Sequence, residues 1–236
     1  MGAIPEVASR ILAQSELRVE IAAQNMSNAT TPGYKRRLYF QEMLSNAAAP
    51  GLAAASDASA TDFSAGKLSN TGNPFDLAIE GEGFFQVRDT SDRVLYTRGG
   101  QFNRDADGRL VSPAGLVLQA EGGGDLILKG GDLKIAADGM VLEDGEPTAR
   151  IALAAFDAPG GARAEGGAFA LPESQTRAAG RATVRQGMLE TSNVTTGSEM
   201  ISIMEAVRRA EAGQKLVNLY DDLLGRALQT FGQVGS

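Results

Sequence analysis

Histidine, cysteine and tryptophan are all missing from this sequence of 236 residues. Without His and Cys there is no Ser-His-Asp or Cys-His arrangement, no thiol chemistry, no imidazole general base and none of the usual zinc ligand sets. Any catalysis would have to run on carboxylates, lysine, tyrosine or serine. The lack of Cys also excludes disulfides and leaves the redox compartment open. Positive charge is scarce: 22 Lys and Arg face 29 Asp and Glu, for a net charge of −7. That balance argues against nucleic acid as a partner, because phosphate contacts need clustered cations. The densest basic run, Lys35-Arg36-Arg37, follows a turn and reads as a solvated rim. No apolar run approaches the ~18 residues of a membrane span. The segment Met1 to Glu6 has neither the basic region nor the apolar stretch of a secretory signal, and Glu6 stands where a myristoylation motif needs Ser or Thr. Nothing in the sequence asks for a cofactor or a metal.

Glycine, by contrast, is abundant, at 29 of 236 residues, and concentrates in the middle of the chain. Between about 62 and 190 it punctuates short apolar runs: Leu77 to Ile79, Phe84 to Val87, Val94 to Thr97, Leu110-Val111, Leu116 to Leu118, Leu126 to Leu128 and Ile151 to Phe156. Asp107-Gly108, Asp138-Gly139, Asp144-Gly145 and Gly81-Glu82-Gly83 lie between such runs as hairpin and turn signals. The texture predicts an antiparallel all-β domain over 62–194, with Gly160 to Gly167 as an exposed loop. Residues 37–61, nearly all Ala, Ser, Gly, Pro and Asp after position 45, read as a linker.

The two ends are different. Ile4, Ala8, Ile11, Ser15, Val19, Ala22 and Met26 recur at spacings of three and four, which predicts a helix over 4–28 inside an N-terminal segment 1–36. Thr30-Thr31-Pro32-Gly33 supplies its stop. In the C-terminal segment 195–236 the register Met200, Ile203, Val207, Ala210, Gln214, Val217, Asp221, Leu224, Leu228, Phe231 keeps a 3,4 repeat without a slip. This is a heptad seam with two polar interruptions. Ser198 or Thr196 would cap it, and a helix over 198–231 would run about 50 Å at ~1.5 Å per residue. The fold class is therefore α+β, a discontinuous helical domain from both termini around a β domain. A chain that leaves along one helix and returns along another sets the two antiparallel. A lone two-helix stalk buries too little area to offset the ordering entropy of some sixty residues, about 1–2 kcal/mol each, so its outer faces require other subunits.

Three motifs with chemical associations have simpler readings. Asn103-Arg104-Asp105-Ala106-Asp107-Gly108 matches part of a calcium loop, but position 12 is Ala114 and no helices flank it, so a hairpin turn is the better reading. Gly81-Glu82-Gly83 opens a strand, not the helix of a dinucleotide site. Gly122-Gly123-Gly124 has no Lys-Ser/Thr after it and is no phosphate loop. A calcium module, a carboxylate enzyme in the β domain and a tube protein of another secretion or phage-like machine stand as rival readings.

Four stretches together resemble one family. Ala23-Gln24-Asn25-Met26-Ser27-Asn28-Ala29-Thr30-Thr31-Pro32-Gly33-Tyr34-Lys35 is similar to the N-terminal signature of flagellar rod and hook proteins. Asp62-Phe63-Ser64, Gly66, and Thr71-Gly72-Asn73-Pro74-Phe75-Asp76-Leu77-Ala78-Ile79-Glu80-Gly81-Glu82-Gly83-Phe84-Phe85 resemble its central motif. So do Tyr96-Thr97-Arg98 to Gly115. Gln186 to Val194, with Ser192-Asn193, resembles the segment before the family's last helix. The resemblance implies helices from both termini packed with copies of the chain and with neighbouring rod proteins, under a β-rich outer domain. It also implies export by the flagellar export apparatus without a cleaved signal, and a place in the periplasm-spanning rod of the basal body. The chain's length favours a proximal-rod subunit over a distal one. The expected contact residues are the apolar positions of the α-helical stripe at 4–26 and every position of the C-terminal register, Gln214 and Asp221 included.

Overall fold

The computed structural model describes residues 3–39, 59–156, 163–171, 176–180 and 182–234. The chain forms two compact units, one from 1–27, 37–59 and 195–236, the other from 28–36 and 60–194. The fold is α+β, and all strand pairing in the β unit is antiparallel. The part of the expected linker at 40–58 lies outside the described residues.

In the helical unit, α1 spans Ala3–Ser27 and α2 spans Thr196–Val234. The Thr195 carbonyl accepts the Glu199 N–H at 3.2 Å and the Ser198 N–H at 3.0 Å. Thr195, not Ser198 or Thr196, is therefore the residue at the cap. Glu199 then falls in the first turn, where a carboxylate suits the positive end of the helix dipole. Gly213 of α2 lies against Ala8 and Ile11 of α1, while Asn25 at the other end of α1 meets Glu199 at the start of α2. The two helices run antiparallel.

Within the β unit, Phe84–Arg88 is the strand on which the largest sheet is built. It pairs with Val94–Thr97, with Val117–Leu118 and with Leu153–Phe156. Its inward residues Phe85 and Val87 are fully buried, among Leu77, Phe102, Leu110, Leu118, Leu126 and Val141. Phe84 faces a second, aromatic cluster with Tyr96 and Phe169, edged by Phe63 and stacked on Phe156. Six of the seven expected runs contain strands. The exception is Leu126 to Leu128, which makes only isolated bridges at Asp125 and Ile127, although Leu126 and Leu128 are buried. Burial of alternate residues does not require ladder pairing. Conversely, Leu133–Ile135, Met140–Glu143 and Glu146–Arg150 form a three-stranded sheet that apolar runs did not announce. The expected loop at Gly160 to Gly167 is in part a hairpin, because Arg163–Glu165 pairs with Ala168–Ala170 across Gly166-Gly167.

One turn design recurs. At 89–93, 105–109, 112–116, 120–124 and 136–140 the first N–H bonds to the carbonyl four residues on, and the fourth N–H bonds back to the first carbonyl. Each fourth residue has a positive φ: Asp92 at 64°, Gly108 at 85°, Gly115 at 79°, Gly123 at 94° and Gly139 at 83°. This is the three-residue hairpin loop with a left-handed bulge residue, which explains why glycine is so frequent here. In two of the turns an Asp at the first position meets an Arg at the fifth. Asp105 accepts the Asp107 and Arg109 N–H groups at 3.0 and 2.8 Å and the Arg109 Nε at 2.8 Å. Asp89 does the same with Ser91 and Arg93. The carboxylate that resembled a calcium ligand is occupied by its own turn.

These bonds favour the ionised carboxylates. The Arg93 N–H holds Asp89 below its ordinary value of 3.8. Desolvation pushes Asp105 up, but its hydrogen bonds to Arg109 outweigh this and leave it lowered as well. A depressed folded pKa gives stability that is complete above about 3.8 and lost as pH falls through the folded value. Thermal melting followed between pH 6 and pH 2 is expected to show an acid loss that Asp89→Asn and Asp105→Asn together flatten. An unchanged acid slope in that double variant would contradict the assignment.

Candidate assembly interface

Each unit has a buried polar cluster, and the helical unit also has an exposed apolar surface. The first cluster, in the β unit, centres on Glu190, which is 1% exposed. Its Oε1 accepts the Lys35 ammonium at 2.6 Å and the Gly66 N–H at 2.8 Å, and its Oε2 accepts Arg98 at 3.0 Å. Its backbone carbonyl accepts the Gly33 N–H at 2.8 Å. Lys35 also donates to the Ser64 carbonyl at 2.7 Å, and Arg98 donates to the carbonyls of Ile79 and Gly81 while lying over the Phe84 ring. Burial lowers the pKa of both Lys35 and Arg98, opposed in each by Glu190. The basic run expected to be a solvated rim is therefore misread at its first residue: Lys35 is 2% exposed. The expected rim would be correct for a cation with no anion to meet it, and the anion here is 155 residues away.

Family-motif residues surround this cluster. Asn193 accepts the Arg36 N–H at 2.7 Å and donates to the carbonyls of Asp62 and Ser64. Asn28 and Thr31 close the turn after α1, the Tyr34 N–H returns to the Thr31 carbonyl, and the Ser192 hydroxyl accepts the Val194 N–H. Asp76 accepts Thr71 and Asn73 side chains, its carbonyl takes the Gly187 N–H, and Gln186 reaches the Pro74 carbonyl. The Gly72 N–H bonds to Asn70. A Cβ at Gly33 would lie 2.2 Å from Gly99 N, one at Gly66 1.9 Å from Thr191 O, and one at Gly100 1.6 Å from Leu77 O. These glycines allow backbone to lie directly on backbone. The signature is thus a set of fastenings between segments far apart in the chain.

The second cluster is in the helical unit. The Asn25 amide, 0% exposed, accepts the Arg37 N–H at 2.8 Å and donates to the Arg37 carbonyl at 2.8 Å and to Glu199 at 3.2 Å. Arg18 lies over the Tyr39 ring, 4.7 Å from its centroid. Sequence periodicity gave Glu199 no role, since a charged residue interrupts rather than extends an apolar stripe.

The helix contact itself is made by small residues. Ala8, Ser15, Ala22, Ala206 and Gly213 are buried along it, with Ile21. A Cβ on Gly213 would meet Ile11 Cγ2 at 3.1 Å. Of the expected α1 stripe, Ala8 and Ala22 are buried, Ile11 and Val19 are half-buried and Met26 is exposed. On α2 alternate positions of the expected register stand one residue after the buried ones. Glu199, Ala206 and Gly213 are buried, whereas Met200, Val207 and Gln214 beside them are exposed, as are Asp221 and Leu224. Ile203, Ala210 and Val217 are half-buried. The side chains of Ile4, Leu228 and Phe231 lie outside the described set. Apolar periodicity selects large residues, but close helix approach selects small ones, so the large ones are left facing outward. Met200, Ile201, Met204, Val207, Leu216, Leu219, Leu223 and Leu224 are all at least 40% exposed. So much apolar surface on one helix makes it the candidate interaction face.

Two outcomes follow for the monomer in urea. Glu190→Ala leaves two buried cations and is expected to cost about 3–5 kcal/mol, whereas Lys35→Met leaves an intact Arg98–Glu190 pair and costs about 1–3 kcal/mol. The reverse order would refute Glu190 as the centre. For the helix contact, Gly213→Ala is expected to be near neutral, because helix propensity offsets a few tenths of an ångström of give at Ile11, while Gly213→Leu should melt the helical signal of the pair. A Leu variant with unchanged helix melting would exclude close approach there.

The chain is similar to known proteins over most of its length. Residues 78–143 match the model described as flagellar hook protein FlgE/F/G D1 domain, and residues 185–230 match that described as flagellar basal body rod FlgEFG protein C-terminal. The flagellar basal-body rod protein FlgF of Mesorhizobium japonicum is 31% identical over 225 residues, covering 92% of both chains. FlgF of Caulobacter vibrioides is 29% identical over 227 residues, with 92% of each covered. FlgG of the same organism is 30% identical over 260 residues, covering 95% of this chain and 97% of that one.

Proposed function

The chain belongs to the flagellar basal-body rod protein family, and from that premise we propose that it is the proximal-rod subunit. It is a structural protein of the rod. Its terminal helices pack with those of copies of itself and of neighbouring rod proteins into a tube that transmits torque and surrounds an export channel. The β unit sets lateral contacts and the outer diameter. The subunit reaches its place through the flagellar export apparatus, without a cleaved signal, and carries out no catalysis.

The observation that carries this reading is the outward apolar surface of α2, beside a helix contact made by small residues. A helix whose large side chains face away from the helix it packs against has its main burial still to come. At about 25 cal/mol per Å² removed from water, covering those side chains is the driving force for assembly. Preference for the proximal position rests on alignment length. The match to FlgG runs over 260 positions, more than the 236 residues of this chain, so that relative carries insertions, whereas the FlgF matches fit within 225 and 227.

The test is a strain lacking this chain. Electron microscopy of its purified basal bodies is expected to show membrane rings without a completed rod, and the strain is expected to be non-motile. A full-length rod in that strain would sink the assignment. A rod ending just short of the hook would move the chain to the distal position.

A further inference from the structure

Without His, Cys or Trp, the chain meets a mild two-electron oxidant chiefly through its seven methionines. Met1 and Met43 lie outside the described residues. Met140 and Met188, in the β unit, are half-buried. Met26, near the end of α1, is 37% exposed, whereas Met200 and Met204 on α2 are 54% and 53% exposed. Four residues apart on a helix is about one turn. The two therefore lie on one face, with the exposed Val207 three residues further on. The two most accessible thioethers among the described residues thus stand side by side in the N-terminal part of the exposed apolar surface.

We propose that Met200 and Met204 are an oxidation site through which peroxide controls entry of the subunit into its assembly. This rests on the proposed function, in which partners cover the outward surface of α2, and adds a regulation of that surface. In the free subunit each sulfur gives an electron pair to one oxygen of hydrogen peroxide. The O–O bond breaks, the S–O bond forms and water leaves, so sulfur is oxidised by two electrons and the peroxide is reduced by two. The sulfoxide is polar where the thioether was apolar. Its oxygen accepts hydrogen bonds from water, and a partner surface that suits apolar side chains offers no donor in return. Covering an acceptor without a partner lowers affinity about tenfold for each group. Leu216, Leu219, Leu223 and Leu224 carry no sulfur, so the same oxidant leaves the C-terminal part of the surface unchanged. Once α2 is covered its sulfurs are shielded, so the site acts only before assembly. A subunit oxidised beforehand is excluded, and one already in place is unaffected.

The test begins with the full-length chain, purified and exposed to hydrogen peroxide while peptide masses are followed in time. Gain of one oxygen is expected at Met200 and Met204 at least about fivefold faster than at Met140 and Met188. Equal rates would overturn the proposal. Peroxide is then given to cells that begin making the chain only as it is added, and sulfoxide content is compared between the unassembled pool and purified basal bodies. At Met200 and Met204 the content is expected to be at least about tenfold lower in basal bodies, with Met140 and Met188 alike in both pools. Equal content at Met200 and Met204 in the two pools would refute control of entry. A variant carrying Met200→Leu and Met204→Leu keeps apolar side chains of similar volume. It should enter basal bodies equally with and without peroxide, where entry of the wild type falls about tenfold. Equal loss of variant and wild type would place the oxidant's effect elsewhere and overturn the assignment. The wild-type comparison decides the matter even where the variant fails to enter. Absence of the unoxidised wild type from basal bodies would instead end the rod assignment, and this inference with it.

Discussion

The structure turns on one carboxylate. Glu190 draws Lys35, Gly66 and Arg98 to itself from positions up to 155 residues away, and its own carbonyl holds Gly33. Burying three charged groups is expensive, and the arrangement is tolerable because both Glu190 oxygens, the Lys35 ammonium and the terminal nitrogens of Arg98 have partners. The Arg98 Nε is the one nitrogen of the cluster left without one. A hydrophobic cluster of the same volume could hold these segments together as firmly, but not in one register. Charge and direction fix which backbone lies on which, and Gly33, Gly66 and Gly100 let those backbones lie in contact. The polar fastening and the bare glycines are therefore one device: the first selects the geometry, and the second removes the side chains that would forbid it.

The helical unit solves a different problem with opposite means. Its two helices approach over Ala8, Ser15, Ala22, Ala206 and Gly213, none of which adds much burial. Such a contact is close but weakly stabilising, since removal from water yields only about 25 cal/mol per Å² and small side chains have little area. The cost is offset in part by Asn25 and Glu199, which fix the register of the ends. The large residues Met200, Val207 and Leu224 stay exposed instead. A strong internal contact made with them would leave less apolar surface to drive assembly with other rod proteins.

Much of this was legible beforehand, for definite reasons. Helix ends, antiparallel helices and hairpin turns follow from local rules, so Thr30 to Gly33 and the Asp-Gly pairs announced themselves. The strands Leu133–Ile135 and Glu146–Arg150 did not, since Lys134, Pro147 and Thr148 break any apolar run and pairing with Met140–Glu143 supplies the order instead. The buried Glu199, Ala206 and Gly213 of α2 were hidden for a related reason: hydrophobic periodicity reports where large apolar residues fall, and on α2 many of those are exposed. Lys35 and Glu190 were visible only as members of a signature. Pairing over 155 residues leaves no local trace, so their roles required coordinates.

The same reasoning explains the Asn, Asp, Gly and Thr that stand in the signature beside its core residues Leu77, Ile79, Phe84 and Phe85. A core position such as Val87 or Leu118 tolerates exchange among apolar side chains of similar volume. A junction such as Asn193, which joins Arg36, Asp62 and Ser64 through one amide, does not, because an amide offers donor and acceptor at fixed separation and few side chains can. Asn25 does the same for the backbone of Arg37. What looks like a chemical motif is therefore positional. Its residues are held to their identities by the geometry of the joints they make, and the outward face of α2 is held to a pattern by what must be covered. A sequence meeting both demands has little freedom at either, and its variation should collect where neither applies, in the exposed turns and along the sheet edges.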